Sequence, residues 1–100
     1  MATRAAAAAL GTHDLGGCEI YTSCEPCPMC LGAIYWARIA RVHHACDRAD
    51  AAAAGFDDQE FYAELSRPPG ERAIPFLAAG REHGLEVFRA WLARPDRRRY

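Results

Sequence analysis

From Ala2 to Leu10 the chain reads "ATRAAAAAL". This alanine-rich run predicts a helix, with Gly11 as its stop. After "GG", the stretch "CEIYTS" (Cys18 to Ser23) mixes β-branched and aromatic residues and predicts a strand. Pro26 stands where a helix opens, since a proline's missing N–H costs nothing in a first turn, and that helix carries Cys27 to about Arg38. "ARVHHAC" (Ala40 to Cys46) reads as a second, buried strand. Asp47 is placed to cap a short helix running through Ala54, which Gly55 ends. "DDQEFYAELS" is a further helix, stopped by Pro68 and Pro69. "AIPF" predicts a short extended piece. In "LEVFRAWLA" (Leu85 to Ala93), Val87, Phe88, Trp91 and Leu92 share one face of an amphipathic helix. Strand, helix, strand, helix is the α/β alternation. Two strands alone make a poor sheet, so the pattern reads as part of a larger one.

The chain has 100 residues and a formal net charge of -1. One small domain over 1–100 fits that length, with stability that a metal or a partner subunit would support. The charge balance gives no strong pull toward polyanions. No apolar stretch reaches membrane-spanning length, and the alanine run near Met1 is too short and too weakly apolar for a secretory signal. The 5 cysteines are odd in number. Without a secretory signal, that argues against a disulfide framework and predicts a cytoplasmic protein.

Three of those cysteines, Cys24, Cys27 and Cys30, recur at a spacing of three. Cys27 and Cys30, at a helix start, point their sulfurs the same way, toward free N–H groups and a positive dipole end that favour thiolate. Two thiolates so placed are half of a tetrahedral zinc site, although C-x-x-C also occurs as a redox pair. An iron–sulfur run would need a fourth cysteine where Ile34 stands. Cys18, Cys24 and Cys46 read as inert buried thiols.

Pro26-Cys27-Pro28-Met29-Cys30 is the second half of the zinc deaminase signature H-x-E…P-C-x-x-C. The segment "YTSCEPCPMCLGAIYWAR" resembles the cytidine/deoxycytidylate deaminase superfamily, and within it the bacterial guanine deaminases. "AAAAGFDDQEFYAEL", "PPGERAIPF" and the closing Tyr100 extend that resemblance along the chain. The resemblance implies a three-layer α/β/α fold of cytidine deaminase type with a mixed central sheet, whose N-terminal strands and first helix lie outside this chain. It implies zinc held by two cysteines and a histidine, with Cys27 and Cys30 as the cysteines. It implies a glutamate that moves protons between water, ring and leaving amine, and so conversion of guanine to xanthine and ammonia. By position, Asp58 is similar to the residue that reads the guanine edge. Tyr100 resembles a terminal aromatic that closes a site, in homodimers that exchange C-terminal segments, and Trp36 helps line the pocket or packs in the core.

The H-A-E segment, with the third ligand and the glutamate, is expected just upstream of Met1, so no catalytic residue is assigned within the chain. The 100-residue product alone is expected to be poorly soluble and nearly inactive. His13, His43 and His44 read as surface or packed residues, and Cys24 is a possible third sulfur ligand of a degraded site. Glu25 reads as loop geometry or helix N-terminal charge. Alternative functions are a tRNA adenosine or other nucleoside deaminase, or a non-catalytic remnant. "RPDRRRY" reads as a solvated tail rather than a nucleic-acid contact, and Asp57 or Asp58 as a helix cap.

Overall fold

The computed structural model describes residues 2–100. The chain divides into two units, one running through Arg67 and one spanning Pro68–Tyr100. The first contains α1 (Ala2–Leu10), β1 (Glu19–Cys24), α2 (Pro28–Trp36), β2 (Arg41–Cys46), α3 (Arg48–Ala53) and α4 (Asp58–Leu65). The second contains a single 3-10 turn at Pro69–Glu71 and α5 (Arg81–Ala93).

β1 and β2 are parallel neighbours, with Glu19 opposite Arg41 and Cys24 opposite Cys46. A parallel pair needs a crossover, and α2 supplies it, so the centre of the first unit is one βαβ unit. α1 ends as the glycine predicts: Gly11 takes φ 68°. Thr12 N–H then donates to the Ala7 carbonyl at 3.1 Å and closes the helix end.

The segment between α1 and β1 is tied to the far end of α2. Leu15 N–H donates to the Ala37 carbonyl at 2.7 Å, and Ala40 N–H donates to the Cys18 carbonyl at 2.9 Å. The core sits at this junction: Leu15 is 2% exposed, Ile34 5% and Ala37 6%. Burying a leucine so fully contributes on the order of 2 kcal/mol. α3 begins with a capping box, in which Asp47 Oδ1 accepts from Asp50 N–H at 2.9 Å and Asp50 Oδ2 accepts from Asp47 N–H at 3.0 Å.

Several element boundaries differ from expectation. α2 opens at Pro28, not Pro26, and ends at Trp36. β1 lies one residue later than Cys18–Ser23. β2 is not a buried strand: only Val42 and His43 are half-buried. Among the described residues the sheet has two strands, so its outer edges stay open. Asp57 takes the N-cap of α4 but makes no side-chain cap bond, so the "DD" pair does not cap by side chain as expected. Ala73 and Ile74 form bends, and Pro75 and Phe76 are irregular, rather than an extended piece. α5 starts a turn earlier than Leu85.

Candidate metal centre

β1 ends at Cys24, and a two-residue link leads to Cys27 at the N-cap of α2. Cys27 is extended, at φ -66° and ψ 165°, because it precedes Pro28. Its carbonyl accepts from Leu31 N–H at 2.8 Å, so its backbone already serves the helix. Its side chain makes no cap hydrogen bond and is left for other chemistry. Cys30 is the third helical residue. Side chains at these two positions are the pair that meet in a capping box, so the sulfurs converge over the first turn. The thiol of Cys30 is pushed up by burial first, then by its hydrogen bond to Cys27 and the charge there, with Asp58 adding to the rise.

Two neighbouring sulfurs, with the Cys30 thiol hard to ionise beside Cys27, are a natural seat for a soft divalent cation, which replaces the protons. The donor set therefore fits two corners of a tetrahedral zinc ion. Among the described residues, no group of three or more His, Cys, Asp or Glu side chains gathers to hold a metal.

Cys24 does not join as a third sulfur. Its Sγ donates to the Asp47 carbonyl at 3.7 Å. Its thiol is raised by burial first, then by Cys46 across the ladder and by Asp58. All five cysteines are free. His43 stacks on Tyr21 on the sheet face, with ring centroids 4.4 Å apart and planes within 10°. Its Nε2 lies 3.5 Å from Glu19 Oε2, a loose ion-pair distance rather than a good hydrogen bond. His44 Nδ1 lies 3.1 Å from the Cys46 carbonyl. His13 lies in the turn before β1.

The other expected site residues stand on different elements. Asp58 opens α4 and sits near enough for its charge to act on Cys24, Cys30 and Tyr62. Trp36 ends α2, roughly 9 Å along the helix axis from Cys30, and is 68% exposed. Tyr100 belongs to the second unit and is 71% exposed.

Glu25, Arg48 and Tyr62 carry more of the site than sequence reasoning assigned. Glu25 N–H donates to the Cys46 carbonyl at 2.8 Å. Glu25 Oε1 accepts from Arg48 N–H at 3.2 Å, and Oε2 lies 3.6 Å from Arg48 Nε. The Arg48 guanidinium lies 4.2 Å from the centroid of the Tyr62 ring, and the Tyr62 hydroxyl donates to the Pro26 carbonyl. Only the Asp47 cap, which marks where Arg48 begins a helix, was visible in the sequence; nothing local points to Tyr62.

Over residues 1–46 the chain matches the family described as the cytidine and deoxycytidylate deaminase zinc-binding region. More particularly, it is 48% identical to the guanine deaminase of Bacillus subtilis over 99% of this chain and 64% of that protein. The crystal structure of a Bacillus subtilis guanine deaminase superposes with a TM-score of 0.85 at 46% identity, over 98% of this chain and 62% of that one. The fold is thus of the cytidine deaminase type, and the chain spans under two thirds of the length of these relatives. A tRNA-specific adenosine deaminase of Bacillus subtilis is 50% identical, over 34% of this chain and 21% of that protein.

Proposed function

We propose that this chain carries the cysteine half of the zinc site of a hydrolytic nucleobase deaminase that converts guanine to xanthine and ammonia. The observation that carries this reading is the Cys27–Cys30 pair at the start of α2, inside a match to guanine deaminase over 99% of this chain. Cys27 and Cys30 hold the ion as thiolates. When bound, zinc supplies a Lewis acid that brings the pKa of water toward neutrality. Asp58, at the first turn of α4 and within electrostatic reach of Cys30, is the residue assigned to accept hydrogen bonds from the amidine-like N–H edge of guanine, which cytosine and adenine present differently. Trp36 and Tyr100 are the aromatic candidates for covering the base.

The proton-moving glutamate and the third ligand come from an H-A-E segment. The protein supplied with that segment is expected to release ammonia from guanine in preference to adenine, cytosine and tRNA, and to stop when zinc is chelated. The 100-residue chain alone is expected to release little or none. Adenine or tRNA as the preferred substrate would overturn the assignment to guanine. Five free cysteines fit a reducing compartment, which supports a cytoplasmic protein, and guanine as substrate supports a role in purine metabolism. The open apolar face of α5, with Val87 70% and Phe88 65% exposed, supports a homodimer in which C-terminal segments are exchanged.

A further inference from the structure

We propose that Glu25, Arg48 and Tyr62 form a clamp that fixes the Cys27–Cys30 spacing and so sets how tightly the metal is held. This rests on the reading of those cysteines as zinc ligands. The link between β1 and α2 is only Glu25-Pro26 before the N-cap, and a link that short transmits any movement directly to Cys27 Sγ. Three elements hold it. From β2, the Cys46 carbonyl takes Glu25 N–H at 2.8 Å. From the first residue of α3, Arg48 binds the Glu25 carboxylate through its backbone N–H at 3.2 Å and faces it through Nε at 3.6 Å. From α4, the Tyr62 hydroxyl donates to the Pro26 carbonyl, the peptide group immediately before Cys27.

The arms are coupled, because the guanidinium that faces Glu25 also stacks on the Tyr62 ring at 4.2 Å. Arg48 is therefore held between a carboxylate and an aromatic face, which suits its planar cation. Glu25 is only 24% exposed at its side chain, so the pair is partly shielded from water. Such outer groups orient ligands they never touch, and their loss typically weakens metal binding by about 10–100-fold. Glu25, Arg48 and Tyr62 are positioning residues: none meets the substrate or the ion.

The test is zinc affinity of the protein supplied with the H-A-E segment, measured by competition with a chromophoric chelator, alongside unfolding of the metal-free protein. Tyr62→Phe removes one hydroxyl and keeps the ring under Arg48. Arg48→Lys keeps the charge and loses the planar stack. Cys27→Ser reports on the site itself. The clamp predicts that both outer variants bind zinc about 10–100-fold more weakly while still folded. It also predicts faster alkylation of Cys27 in the metal-free variants, which a role in stability alone would not produce. If wild type and Cys27→Ser differ but Tyr62→Phe and Arg48→Lys match wild type, the clamp is wrong and the metal reading stands. If Cys27→Ser matches wild type, the metal reading fails and takes the clamp with it.

Discussion

Leu15 is the residue on which the first unit closes. It is 2% exposed, and its N–H is bonded to the end of α2. Leu15→Ala is expected to destabilise the fold by about 2–5 kcal/mol, read as a lower urea midpoint. A loss below about 1 kcal/mol would show that the site collapses around the missing side chain. Asp47 works by charge at the surface. Its carboxyl is held below the usual aspartate range, first by its bond from Asp50 N–H. A depressed pKa means the stabilisation is complete above the unfolded-state value and disappears as pH falls through the lower folded value. Asp47→Asn keeps a competent N-cap and removes the titratable carboxyl. The variant is therefore expected to lose less stability than wild type on acidification below pH ~4; equal losses would remove Asp47 from the acid response. The cysteine pair could be read from sequence because its chemistry is written in a spacing of three. Arg48 and Tyr62 could not, because they reach Glu25 and Pro26 across 23 and 36 positions. No periodicity encodes such contacts.

At the scale of elements, local rules succeeded where one residue decided the matter. Gly11 at φ 68° ends α1, and nothing lies within 4 Å of the place a Cβ would occupy. Gly11→Ala is thus expected to cost about 1 kcal/mol from backbone strain alone, with no steric clash. A thermal melt unchanged by the substitution would contradict that account. The start of α2 was misread because two prolines compete for it. The rule that separates them is the restriction on the residue before a proline. Cys27 precedes Pro28 and must be extended, so the helix cannot begin at Pro26. That shift strengthens the site, since it turns Cys27 from a helical residue into the N-cap and frees its sulfur from the helix surface. β2 was expected to be buried from its valine and histidines. Burial of a strand depends on neighbours that no local pattern specifies, and His43 instead stacks on Tyr21 over the sheet face.

For the whole molecule, the α/β alternation and its cysteine-bearing crossover were legible, while the exposure of the C-terminal helix was not. The apolar stripe of α5 was predicted correctly as a face, yet Phe88 is 65% exposed and Leu92 62%. Exchange between subunits predicts that the protein sediments as a dimer and that Phe88→Asp shifts it to a monomer. A wild-type monomer would end the exchange proposal without touching the metal site. In the protein supplied with the H-A-E segment, Asp58→Asn is expected to lower turnover of guanine more than metal content; equal losses would contradict a substrate role for Asp58. The central claim is that Cys27 and Cys30 bind zinc, and X-ray absorption at the zinc edge tests it most directly. The account predicts two sulfur neighbours at about 2.3 Å, lost in the Cys27→Ser, Cys30→Ser double variant. Zinc coordinated without sulfur, or a protein that purifies with no zinc and takes none up, would contradict it.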